Sequence, residues 1–302
     1  MSLGVQLAAG AFRSIRSEHE ALVLRSCAPR FCVLQDTPAV RQRLQESSVR
    51  YQICREGLLV IGQWFDAWAG IALSSPQKLL PYGRVPVGDP VSRQLLALAI
   101  EAVVPEAPQR GDLCCLSIPC ALPRESLETD ANLEHLSHLV LLRGWEPRFV
   151  NAGLALVLAE LGPHRLTGMG VVIDDEATQA SIVVCGKEIA AASVRHAARF
   201  DMADGQRPPT EAFRDQLVDA FDALRREVEG TLTCALPGPV TLACAGIETE
   251  PELAELIREA WEETGWRQRL EHVLSPRTPA AAVARGCLIH AELEANNRCK
   301  VA

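Results

Sequence analysis

The sequence predicts an α/β protein of two similar lobes, each a sheet flanked by helices. Two observations carry that expectation. One order of elements, three strands followed by helix, strand, helix, strand, helix, is written twice along the 302 residues. Within each copy the apolar spacing switches from the alternation of a half-buried strand to the three-to-four spacing of an amphipathic helix. A chain of this length has material for about two domains, with expected extents of 1–163 and 164–302.

The first copy opens with LGVQL (3–7), AFRSIR (11–16) and ALVLRS (21–26), separated by AAG and the charged turn SEHE, which reads as a meander. An irregular stretch follows. In DPVSRQLLALAIEAVV (89–104), Asp89 stands as N-cap and Pro90 at the first helical position, where its missing N–H costs nothing. Strand DLCCLSI (112–118), a helix over about 126–143, strand PRFVN (147–151) and helix AGLALVLAELG (152–162) complete the copy.

The second copy begins with MGVVID (169–174), ASIVVC (180–185) and EIAAASV (188–194), then an amphipathic helix over 210–229. Strand PVTLAC (239–244) leads into TEPELAELIREAWEETG, where Thr249 and Glu252 have capping-box spacing. LEHVL (270–274) and TPAAAVARGCLIHAEL (278–293) close the set. The repeat lies in element order; no residue-level repeat is evident.

Hydrophobic residues at 48% and charged residues at 23% are those of a folded globular protein. A net charge of −8 speaks against binding nucleic acid or an anionic membrane surface, since neither polyanion is attracted at long range. No apolar run approaches the roughly 18 residues of a membrane span, and no cleavage signature follows the N-terminus, so a cytoplasmic protein is expected. The eleven cysteines sit mostly within apolar runs, as small buried hydrophobes do. Cys27 with Cys32 and Cys115 with Cys120 have no partner pair that would complete a zinc set.

Asp174, Asp175 and Glu176 interrupt two apolar strands. They read as a solvated hairpin tip, or they resemble the turn at which one large superfamily of phosphotransferases holds a nucleotide phosphate and its magnesium. His135 and His138, with Glu134 beside them, read as a solvated helix face or as a pair of metal ligands lacking a third. His196, His272 and His290 are isolated, and no G-x-S-x-G elbow occurs. In GQWFDAWAG (62–70), Trp64, Phe65 and Trp68 are dense enough for a small local core or for a protein contact surface.

LGVQLAAG (3–10), RGWEPRFVNAGLALVLAELG (143–162), VVIDDEATQASIVV (171–184), LACAGIETEPELAELI (242–257) and SPRTPAAAVARGCLIHA (275–291) follow one another in an informative order. Together they resemble, across nearly the whole chain, the first phosphate loop, first interlobe segment, second phosphate loop, adenosine motif and last connecting helix of the actin, sugar-kinase and heat-shock chaperone ATPase superfamily. Bacterial actins and chaperone ATPase domains are the nearest branches. The resemblance implies a two-lobed actin-like ATPase fold, a variable subdomain at about 27–88, and a last helix at about 278–293 packing back between the lobes. It also implies a site for ATP and magnesium: Gly10 and Thr178 toward phosphate with Asp175 beside them, Asp174 toward the metal or its waters, and Gly246 beneath the adenosine.

The chemistry-bearing positions depart from the superfamily pattern. Gln6 and Ala8 stand where an acid and a glycine are usual, and Asp175, Glu176 and Ala177 where glycines let phosphate approach backbone N–H groups. Ala152, next to Asn151, stands where a residue would orient the attacking water; Ala245-Gly246 keeps one glycine of two, and 195–209 is too short for the adenine-covering helical subdomain. The resulting expectation is a scaffold with an eroded ATP site that assembles, as filaments or with a protein partner, through Trp64, Phe65 and Trp68. The alternative is an active magnesium-dependent ATPase or small-molecule kinase using Asp174 and Asp175. A chaperone role would need a peptide-binding domain on another polypeptide.

Overall fold

The structure, a computed structural model, describes residues 1–19, 21–47, 49, 51–62, 68–86, 88–118, 130–196, 210–231, 238–246 and 251–301. The first half runs β1 (Ser2–Leu7), β2 (Phe12–Glu18), β3 (Ala21–Cys27), β4 (Arg30–Leu34), α1 (Pro38–Glu46), β5 (Tyr51–Cys54), β6 (Gly57–Ile61), β7 (Gln77–Lys78), α2 (Pro90–Val103), β8 (Leu113–Ser117), α3 (Ala131–Leu142), β9 (Glu146–Phe149) and α4 (Ala152–Glu160). The second runs β10 (Gly168–Ile173), β11 (Ala177–Val184), β12 (Lys187–Arg195), α5 (Thr210–Thr231), β13 (Val240–Ala245), α6 (Pro251–Glu263), β14 (Leu270–Leu274) and α7 (Pro279–Val301).

Both five-stranded sheets have one plan, β3-β2-β1-β8-β9 and β12-β11-β10-β13-β14. Three strands form an antiparallel meander, a fourth pairs in parallel with its first strand and a fifth in parallel with the fourth. Asp89 caps α2 as expected, its carboxylate accepting from the Val91 N–H at 3.0 Å. The capping box at Thr249 and the residues Trp64 and Phe65 lie outside the described residues.

The stretch between β3 and α2 holds a four-stranded sheet, β5-β6-β4-β7, where the sequence reading leaves an irregular region. Its strands are short, β7 having only two residues, and β6 is a continuous apolar run rather than an alternating one, so periodicity has little to register. Trp68 is 3% exposed and belongs to this subdomain's core with Val40, Leu44 and Leu58; the guanidinium of Arg43 lies over its ring. Its side chain therefore fills a small core and is not part of an exposed contact surface, which corrects the interface expectation for that residue.

Helices α2 and α3 cover one face of the first sheet, and α5 and α6 one face of the second. Between the sheets lie α4 and α7, exchanged between halves: α4 packs on β10 and β11 of the second sheet, and α7 on β1 and β8 of the first. Layers therefore run helix, sheet, helix pair, sheet, helix. Three backbone approaches set this geometry. A Cβ at Gly4 would stand 2.1 Å from the Ala284 carbonyl, one at Gly170 2.0 Å from that of Gly153, and one at Gly286 1.7 Å from that of Ala155. Gly4 and Gly170 occupy the same position in β1 and β10, in Leu3-Gly4-Val5 and Met169-Gly170-Val171, a residue-level trace of the duplication missed in the sequence.

Candidate functional site in the interlobe cleft

The carboxyl ends of β1, β8, β10 and β13 converge on the cleft, the usual place for a ligand in sheets with parallel strands. The β1–β2 and β10–β11 turns face each other across it, and they touch. Asp174 Oδ2 accepts the Ala9 N–H at 2.7 Å, and its Oδ1 accepts the Asp175 N–H at 2.8 Å. Burial between the lobes raises the Asp174 carboxyl from 3.8 to about 6; the negative charge of Asp175 adds to this, while the two N–H bonds and Lys78 oppose it. Burial likewise lowers the Arg13 guanidinium, against the pull of Asp174.

The other two acids reach the small subdomain. Asp175 pairs with Arg30 at 3.3 Å and lies 3.8 Å from Lys78 Nζ, and Glu176 pairs with Lys78 at 3.0 Å. Glu176 also accepts the backbone N–H of Tyr82, a residue held at φ 52, in the left-handed region that bulky side chains rarely occupy. Both carboxylates are nearly buried, at 8% and 3% exposure, so the acidic run is not a solvated hairpin tip. Arg30, Lys78 and Tyr82 are the partners that sequence reasoning missed; two come from the unrecognised small sheet and the third from a turn after it.

The remaining predicted residues fall around this contact. Gly10 is exposed, with a Cβ position 3.8 Å from Asp175 Oδ1. The Thr178 hydroxyl, buried, lies 3.0 Å from Nε2 of His196, whose imidazole is held neutral-favouring by burial. Gly246 has φ +118, and a Cβ there would stand 1.7 Å from the Ile173 carbonyl, so the end of β13 presses on the strand that delivers the acids.

Gln179, not singled out in the sequence, links the lobes: its Nε2 donates to the Ile118 carbonyl at 2.7 Å and its Oε1 accepts the Ala152 N–H at 3.2 Å. Its signal was available, an amide inside β11, a strand without a charged residue. Asn151 donates to Glu188 at 2.7 Å.

Between the turns remains a cavity of about 20 Å³ bounded by Gln6, Ala8, Ser117, Ala152, Asp174 and Gln179, room for about one water. A larger cavity, about 740 Å³, lies elsewhere, between β3, the small sheet and α2. Among the described residues no three His, Cys, Asp or Glu side chains are arranged to hold a metal ion, His135 and His138 included. The cysteines with described side chains are free thiols, and burial pushes Cys244 up to about 12. No described helix is long and apolar enough to cross a membrane.

Two sheets of identical order, an inserted small sheet and exchanged connecting helices define a two-lobed actin-like fold. The structure is similar to the chain of a solved structure titled "MamK double helical filament", with a TM-score of 0.60 over 96% of this chain and 98% of that one, at 14% identity. The sequence profile of the Volactin family matches residues 1–199, and the chain belongs to that family. No curated protein sequence matches it.

Proposed function

We propose that this chain is an actin-like scaffold of the cytoplasm that works by self-association or partner binding, with its lobes latched by its own acidic turn and its ATPase weak or lost. The observation that carries the reading is the hydrogen bond from the Ala9 N–H to Asp174. In relatives with intact loops such a turn offers its backbone N–H groups to phosphate; here a carboxylate takes that place from within. Asp175 and Glu176 with Arg30 and Lys78 extend the same substitution.

The residues present fit magnesium and a triphosphate poorly. Gln6 supplies an amide where a charge would hold the cation, and the space between the turns is about 20 Å³. Two carboxylates a few ångströms from phosphate oxygens repel them by roughly 1–4 kcal/mol each at effective dielectrics between 80 and 20, a repulsion that Arg30 and Lys78 reduce only in part. Gly10, Thr178 and Gly246 would still border any nucleotide, and Asp174 would be its metal ligand. The fold shared with MamK, whose solved structure is a double helical filament, supports self-association as one form of the scaffold.

Isothermal titration of the full chain with Mg-ATP tests the reading, with no micromolar binding and no turnover expected. Micromolar binding with turnover that disappears in Asp174→Ala would replace it with the active-enzyme alternative. Negative-stain microscopy without nucleotide tests assembly separately.

A further inference from the structure

We propose that β3 is a pairing edge for a second copy of this chain, the two β3 strands joining antiparallel about a two-fold axis at Val23 to continue the two five-stranded sheets into one. The inference does not depend on the state of the cleft.

An unpaired sheet edge is ordinarily blunted by charge, proline, a bulge or a covering element. Three of the four outer edges of the main sheets are. On β9, Glu146 and Arg148 are tied by ion pairs to Arg298 and Glu294 of α7. β12 carries Lys187, Glu188 and Arg195 and a bulge in its pairing with β11. β14 has exposed Glu271 and His272 and a bulge in its pairing with β13. β3, ALVLRSC, has one charge, no proline and unbroken pairing to β2. Leu22 and Leu24 are 58% and 49% exposed on it.

The pairing partner follows from register. With Val23 on the axis, Leu22 of each copy lies opposite Leu24 of the other, an apolar cross-strand pair made twice. Arg25 lies opposite Ala21 of the second copy. Because Ala21 is paired to Glu18 on β2, Arg25 looks across a small residue toward that Glu18, with Cα atoms about 10 Å apart over two strand spacings. An arginine and a glutamate together span that gap. Glu18 is held by Arg16 of its own strand, so Arg25 of the second copy joins that pair as a second cation on the carboxylate, and the contact occurs twice. An isologous contact of this kind closes at two copies, whereas actin-like filament growth is open-ended.

Sedimentation velocity of the full chain over a concentration series reads the proposal. The expected result is a reversible equilibrium between the 32.8 kDa chain and a species of twice that mass. The Leu22→Lys/Leu24→Lys variant should weaken it at least tenfold with an unchanged melting temperature. Arg25→Glu should weaken it too, and adding Glu18→Arg should restore it, an effect that no general surface change reproduces and that holds even if the leucine variant folds poorly. A monomer at every concentration, self-association unchanged by Leu22→Lys/Leu24→Lys, or no rescue in the charge-reversed pair would overturn it.

Discussion

Asp174→Asn tests the latch through its pH dependence. In the wild type the carboxyl is raised from 3.8 to about 6 by burial between the lobes. Keeping it ionised above that range therefore costs the folded state up to about 3 kcal/mol. The folded value lies above the unfolded one, so the native protein binds more protons between pH 4 and 6. The stability contribution is fullest below about pH 4 and is lost as pH rises through 6.

Asparagine cannot ionise, so that slope should vanish. The substitution also leaves one of the two N–H groups, of Ala9 or Asp175, facing an NH₂ instead of an oxygen, a loss of about 1–3 kcal/mol at every pH. The variant should thus be clearly less stable than wild type at pH 4 and close to it, or above it, at pH 7.5. Urea unfolding of both proteins at several pH values measures the difference. A wild-type-minus-variant difference that stays flat across this range would refute the placement of Asp174 between the two turns.

Other perturbations separate packing from pairing. Gly246→Ala should destabilise by about 3 kcal/mol or more, since its Cβ would stand 1.7 Å from a carbonyl at a φ of +118, whereas Gly10→Ala, with nothing nearer than 3.8 Å, should stay within about 0.5 kcal/mol in the same melts. Lys78→Ala leaves Glu176 buried beside one fewer cation and should cost about 3 kcal/mol, most of it recovered in Lys78→Ala/Glu176→Gln. Trp68→Ala should cost about 3–5 kcal/mol in chemical unfolding; a near-neutral result would return Trp68 to the surface.

Strands and helices whose apolar period was complete were legible in the sequence. LEHVL became β14 over the same residues, and Asp89 with Pro90 opened α2. The small sheet was not, because two-residue and four-residue strands give alternation too few positions, and its turns are fixed by tertiary approach: a Cβ at Gly57 would stand 2.2 Å from the Leu34 carbonyl. At the site the acidic run was legible as an anomaly but its meaning was not. Nothing local to Asp175 or Glu176 announces Arg30, Lys78 or the Tyr82 N–H, which lie far off in the chain and arrive by folding. The repeated Leu-Gly-Val and Met-Gly-Val were visible but too short to distinguish from chance before the sheets gave them one position.

These two sets of contacts divide the interlobe boundary into unlike parts. At the exchanged helices, Gly286 against Ala155 and Gly4 against Ala284 bring backbone to backbone, and a shared core of Leu113, Cys115, Ala155, Val172 and Cys287 fills the space around them. Such packing is short-ranged: separating it by an ångström forfeits a large part of the dispersion energy of every contact at once. At the turns the lobes are held by hydrogen bonds and ion pairs that water can replace. Opening is therefore expected to begin at Ala9–Asp174 and to pivot on the helix crossing. The closing groups at that end belong to the chain itself, and a rise in pH through the Asp174 range near 6 weakens them.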